Sequence, residues 1–335
     1  SKVPLLTRLV NKLPNINSDV ESNVSFKTEF AYLHSGTPKN SGFDNVATVY
    51  VDDFEGSETN IDLKDTSSWK LSSTPFGVDG SQFGTDDLRT GFNRAKLAWY
   101  NIDPIFYTRQ RPSEVDDNEL SKNETRRIFI EEIFPQQDII EGQSRIQNTF
   151  DLSFFPTEKG PYNNNIAQDF LNDSKSNWGG ITRDLSSTNF EKSNVEFIQF
   201  WLLDTFSENE SNFNSLGNLV LNLGNISEDI LKDGKKLYEN GLPTSNSQEI
   251  VNESNWGKTP ATQSLIYSFD SDENNRVLQD LGYDGLNDNQ ELEKYNNGSA
   301  IDPAGDNYQY YIDANGGILN RYKNYNGTQG NSPVN

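Results

Sequence analysis

The chain has 335 residues, with 50 Asp and Glu against 28 Lys and Arg and a formal charge of −22. So acidic a surface repels a phosphate backbone and an anionic bilayer, which excludes a nucleic-acid partner and disfavours anionic membrane surfaces. Without Cys there are no disulfides, thiolate nucleophiles or Cys-based zinc sites, and an apolar content of 33% is offset by 12% aromatic residues and 42 Asn, the composition of a turn-rich fold with a core of rings.

The chain starts at Ser-Lys-Val-Pro without Met and without a charged-then-apolar leader, and it reads as a segment excised from something longer. No run of 18 apolar residues occurs, so no transmembrane helix is expected; a transmembrane strand of about 10 alternating residues would escape that test. Residues 3–14 place Leu5, Leu6, Leu9, Val10 and Leu13 at helical spacing between two prolines. Val24, Phe26, Phe30 and Tyr32 then alternate with polar neighbours, the pattern of a strand lining a sandwich or a membrane barrel. Residues 1–35 are nearly neutral, so almost all the negative charge follows the Ser-Gly-Thr-Pro-Lys-Asn turn cluster at 35–40, and a boundary is expected at residue 36.

From residue 36 to 243 the pattern is mainly β. The runs at 46–51, 126–134, 148–155, 194–203 and 216–224 read as strands, with Trp201 in the core and one well-buried face on Leu219, Leu221 and Leu223. Long polar connections between them suggest a jelly-roll-like β-sandwich with long loops and a few short helices. Residues 227–243 read as a helix capped by Ser227 and stopped by Gly241. Residues 244–335 form a loop-rich acidic region packed on the sandwich, ending in an extended connector.

The sharpest local motif is the stretch 280–291. As a twelve-residue calcium loop it places Asp280 at position 1, Asp284 at 5, Gly285 at the turn, the Leu286 carbonyl at 7, Asp288 at 9 and Glu291 at 12, with Gly282 failing position 3. The alternative is an Asp-Gly turn followed by a capped helix. Trp69, Trp99, Tyr100 and Trp178 are candidates for stacking on sugar rings, Trp69 and Trp178 foremost. Catalysis is not expected: His34 is the sole histidine, and adjacent carboxylates such as Glu131 and Glu132, or Asp52 and Asp53, point to opposite faces of a strand. No Walker loop, GxGxxG or HExxH occurs.

Several stretches resemble one family: VPLLTRLVNKLPNI, SNVSFKTEFAYL, YVDDFEGSETNIDL, WKLSSTP, FFPTEKGPYN, NWGGITRDL, EFIQFWLLDTF, LGNISEDILKDGKKLYENGLP, LGYDGLND and ILNRYKNYNGTQGNSP. Together they are similar to the SprA (Sov) family, the very large outer-membrane translocon proteins of the type IX secretion system. The resemblance implies a piece of a single-chain barrel through which folded cargo with C-terminal secretion signals passes. It also implies the partners: the rest of the barrel, the shuttle protein PorV and a plug protein at the lateral opening. Residues 1–35 would lead in from the barrel, and residues 36–335 would form the extracellular cap over the pore at the outer membrane's external face, with gliding motility depending on adhesin export. Two other readings stand beside it, a surface carbohydrate-binding module and a calcium-stabilised adhesin region.

Overall fold

The computed structural model describes residues 8, 11–15, 62–165, 174–185, 198–205, 217–234, 251–260, 284–286, 288–295 and 303–326. The strands read at 24–32 and 46–51, the second half of the helix at 227–243, Asp280 and the tail beyond residue 326 lie outside them. The chain divides into two compact units, residues 1–59 and 60–335. In the first, Arg8 is helical and residues 11–15 form turns ending on Asn15, whose φ is 69°.

The second unit is built on one ribbon. Strand β2 (Ala95–Tyr100) pairs antiparallel with β5 (Asp151–Lys159). A β-branched-poor run such as AKLAWY becomes a strand here because both its faces are covered, Ala95, Ala98, Trp99 and Tyr100 each being almost wholly buried. Register slips between Ala95 and Lys96, so Pro156 sits in a bulge, where its missing N–H costs no ladder bond. Gly160 follows; a Cβ there would lie 2.4 Å from the Ala95 carbonyl oxygen, so glycine alone permits the strands to close.

Around this ribbon lie two-stranded antiparallel pairs: β1 (Lys70–Leu71) with β6 (Ile181–Thr182), β3 (Ile128–Phe129) with β4 (Ile146–Gln147), and β7 (Val251–Glu253) with β8 (Lys258–Pro260). Three short helices complete the described elements: α1 (Ile130–Ile133), α2 (Asp288–Tyr295) and α3 (Ile318–Tyr322). The molecule is thus mainly β with small helices, as the sequence suggested. Single turns of 3₁₀ helix at 66–68, 88–91 and 104–107 each begin after an aspartate (Asp65, Asp87, Asp103) whose carboxylate accepts the N–H two residues on.

The core has two parts. Ala98, Tyr100, Phe106 and Val115 pack against Tyr311, Ile318 and Tyr322, while Leu71 and Tyr162 pack against Ile230, Leu231 and Trp256. The loop-rich region after residue 244 therefore supplies rings to both. Tyr322 stacks on Tyr100 at 4.0 Å and on Tyr311 at 4.7 Å. Asn326 closes the edge of β2 opposite β5: its Oδ1 accepts the Trp99 N–H at 2.9 Å and its Nδ2 donates to the Trp99 carbonyl at 3.0 Å, so one amide side chain replaces a neighbouring strand. Arg321, 2% exposed, donates to the carbonyls of Gly316, Tyr311 and Ile312 and pairs with Glu114 at 3.1 Å.

Three expectations are corrected. The run 126–134 holds a strand of two residues and then turns into α1, because the Glu132 carboxylate accepts the Phe129 N–H at 3.0 Å and pairs with Arg126 at 2.9 Å, closing a helical turn. Residues 198–203 and 217–224, the described parts of the runs at 194–203 and 216–224, join no ladder, and their side chains face solvent. Trp201 is 69% exposed, meeting Phe134 edge-on at 6.1 Å, and Leu219, Leu221 and Leu223 are exposed, so neither a core position nor a buried face is found there. Residues 227–234 are not helical. The Ser227 hydroxyl accepts the Asp229 N–H, and the Asp229 carboxylate accepts those of Asp233 and Gly234, capturing N–H groups that a helix would use. Lys232 and Gly234 accordingly take positive φ, 53° and 79°, which lets the consecutive Ile230 and Leu231 both enter the core.

Replacing Asn326 with Ala strands the Trp99 N–H and carbonyl, and a loss of about 2–4 kcal/mol is expected, read as a lower urea midpoint at unchanged slope. Asp151 gives a pH-dependent outcome. Burial pushes its carboxyl up to about 6, against the Thr149 hydroxyl and Ile102 N–H that favour the charged form. A raised folded value means that stability is full below the unfolded value near 3.8 and falls as the pH rises through about 6, by at most about 3 kcal/mol. Asp151→Asn should therefore gain stability over the native chain at pH 8 and gain nothing at pH 4, in paired urea titrations.

Candidate acidic centre

In the region of the sequence-predicted calcium loop, the chain turns at Gly285, whose φ is +68°, and a Cβ there would lie 2.2 Å from the Lys258 carbonyl oxygen. Glycine is thus required both by the turn and by the close approach of the β8 backbone. The turn is fixed from within, since the Leu286 N–H donates to Asp284 Oδ1 at 2.9 Å, and from β8, since the Lys258 N–H donates to the Asp284 carbonyl at 2.7 Å. Helix α2 then carries Glu291 inward.

These elements bring Asp284 and Glu291 together with Asp306, a residue from the loop before the tyrosine-rich segment. One carboxylate oxygen from each lies within 4.8 Å of the others, and the three residues are 2%, 0% and 1% exposed. Backbone donors orient them: the Ala304 N–H reaches Glu291 Oε2 at 2.9 Å and the Asp284 N–H reaches Asp306 Oδ2 at 3.2 Å. Lys294, one turn along α2, lies within electrostatic reach of Asp284 and Glu291. At an effective dielectric of about 20, two carboxylate charges at this spacing repel by about 3 kcal/mol. Three together call for protons or compensating positive charge, part of which Lys294 supplies. All the donors are hard oxygens, the ligand chemistry of calcium or magnesium.

Of the other residues proposed for the loop, Asp280 lies outside the described residues. Leu286 is buried and Asp288, at the start of α2, accepts from the Asn307 side chain at 2.9 Å. Asp306 was missed because it stands fifteen positions beyond Glu291 in a Pro-Ala-Gly-Asp-Asn stretch that carries no ligand spacing; its partnership is purely tertiary.

The two tryptophans proposed for sugar contact are engaged by protein. Trp69 is partly buried, donates its indole N–H to the Leu63 carbonyl at 2.9 Å, leans on Phe150 and has the Arg183 guanidinium 5.6 Å from its ring. Trp178 is 8% exposed with Arg94 stacked 4.6 Å from its ring centre, and its backbone joins β2 through Asn93 and Ala95. Trp99 and Tyr100 lie in the core of β2. No family model matches the chain, and no curated protein sequence aligns with it.

Asp306→Asn removes one of the three converging charges. In a chelating buffer its melting temperature should exceed that of the native chain, and calorimetry at several ionic strengths should show the gain persisting at high salt, because a buried repulsion is poorly screened.

Proposed function

We propose that the chain is an extracellular segment of a type IX secretion translocon, without catalytic function, that covers the outer mouth of a wide β-barrel so that folded cargo leaves through the lateral opening. The observation that carries this reading is the set of sequence blocks resembling SprA, considered with where they lie in the fold. FFPTEKGPYN spans the bulge of β5, Gly160 and Tyr162; NWGGITRDL carries Trp178 and β6; LGNISEDILKDG inserts Ile230 and Leu231; ILNRYKNYNG forms α3 and supplies Asn326. These four blocks contribute to the packed interior, whereas EFIQFWLLDTF is exposed from residue 198 to 204. A pore wide enough for folded proteins leaks solutes if its end and side open together, so a rigid cover at one end keeps the membrane tight while cargo moves. PorV and the plug protein would act at the side opening.

The same reading takes the domain to be a jelly-roll-like sandwich. The β2–β5 ribbon, with both faces of β2 covered, supports it. It also takes Asp284, Glu291 and Asp306 to hold calcium, which would explain three carboxylates buried together in a domain facing the medium.

Deleting residues 36–335 from the full-length protein in cells, with a short linker in their place, is expected to impair cargo export and to sensitise cells to large antibiotics. Normal export together with unchanged resistance would overturn the gating role. Calcium at millimolar concentration is expected to raise the melting temperature of the native chain and to leave that of Asp306→Asn unmoved. An equal response in both would remove the metal assignment without touching the gating one.

A further inference from the structure

Asn326, which closes the edge of β2, is followed in the sequence by glycine. In an Asn-Gly pair the side-chain carbonyl carbon can be reached by the next backbone nitrogen, and a glycine, having no Cβ, does not hinder the approach. Such an asparagine is prone to lose its amide. The glycine nitrogen bonds to Cγ and gives up its proton, Nδ2 departs as ammonia, and the succinimide ring takes up water to open as aspartate or isoaspartate.

The fold opposes these steps at Asn326. The residue is 6% exposed, which withholds the water that ring opening requires. Its Oδ1 accepts the Trp99 N–H at 2.9 Å and its Nδ2 donates to the Trp99 carbonyl at 3.0 Å, so the amide cannot rotate about Cβ–Cγ to meet a nucleophile without breaking both bonds. All of this protection comes from one contact and disappears together when the segment lifts from β2. The product does not fit the position that the amide leaves. Aspartate keeps an acceptor for the Trp99 N–H, but it sets a carboxylate oxygen against the Trp99 carbonyl where Nδ2 had donated, two acceptors facing each other around a buried charge. Isoaspartate adds a methylene to the main chain as well and moves the side chain out of register.

We propose that Asn326 is a modification site gated by the fold. While the last segment is docked the amide is preserved; while it is open Asn326 deamidates, and the converted residue no longer locks the segment onto β2. The contact that completes the first core is thus a one-way latch, and a chain that has stood open carries a permanent mark of it. The step consumes one water, releases one ammonia and needs no enzyme.

The test follows conversion at Asn326 by peptide mass spectrometry of the full chain at mildly alkaline pH, folded in buffer and unfolded in guanidinium chloride. Conversion is expected to be about a hundredfold slower in the folded chain, the protection of a segment that opens rarely. Tyr322→Phe, which removes the hydroxyl that accepts the Asp103 N–H, should speed it several-fold in buffer alone. A native chain aged in denaturant and then diluted should refold with a lowered denaturant midpoint. Gly327→Ala aged in the same way should lose far less, because the added methyl hinders ring closure at this position and leaves the Asn-Gly pairs at 240, 297 and 315 as they were. The proposal is overturned if Asn326 converts as fast folded as unfolded, or if the aged native chain and aged Gly327→Ala lose the same stability.

Discussion

The structure depends on how the second edge of β2 is closed. One edge is paired with β5 in the ordinary way; the other is closed by a single asparagine that lies 227 positions further along the chain. An amide offers one acceptor and one donor about as far apart as the carbonyl and N–H of a peptide, so Asn326 satisfies both groups of Trp99 without a strand. The tyrosine stack holds it in place. Tyr322, one turn before Asn326, lies flat on Tyr100, and its hydroxyl accepts the Asp103 N–H at 2.9 Å, while Tyr311 donates its hydroxyl to the Asp103 carboxylate. Burial holds all three tyrosines well above their usual titration range, so they remain neutral donors at any pH the domain meets. Arg321, fixed by three carbonyls and Glu114, sets the orientation of α3 that makes this possible.

The negative charge takes on a more specific meaning once the aspartates are located. Many of them are used locally. Asp65, Asp87 and Asp103 cap short turns, Asp229 captures two N–H groups of a tight loop, and Asp116 accepts the Glu119 N–H at 2.8 Å. In a protein poor in long helices and strands, the many chain reversals need side-chain acceptors for backbone groups that no ladder satisfies. Acidity is therefore partly a cost of turn-rich architecture. The centre at Asp284, Glu291 and Asp306 is of another kind, because its charges converge away from solvent instead of dispersing into it.

How much of this was legible in the sequence follows from the range of the interactions involved. The strand read at 148–155 overlaps the observed one at 151–159 because its apolar run is dictated locally, and the Gly285 turn was visible too. The helix read at 227–243 failed over its described part because propensity takes no account of the Asp229 carboxylate competing for the N–H groups four and five residues on. The strands read at 194–203 and 216–224 join no ladder over their described residues, since alternation specifies a face and says nothing of what covers it. Asp306, Asn326 and the tyrosine stack could not be read at all. Each is a partnership between positions far apart in the chain, with no spacing of its own.

That distance has a consequence for how the unit holds together. Bringing Asn326 to Trp99 closes a loop of 227 residues, at an entropic cost of about 5 kcal/mol before any contact is made. The ribbon cannot recover this by itself, because β2 has an open edge and an uncovered ring at Tyr100 until the last segment arrives. The first core is therefore completed by the final residues of the described chain, and the elements before them are stable only as part of the whole. Such a unit folds slowly, since its decisive contacts are its most distant ones, but once formed it has few elements that can open independently. That kind of cooperativity, in which the last segment locks everything laid down before it, suits the capping role proposed above.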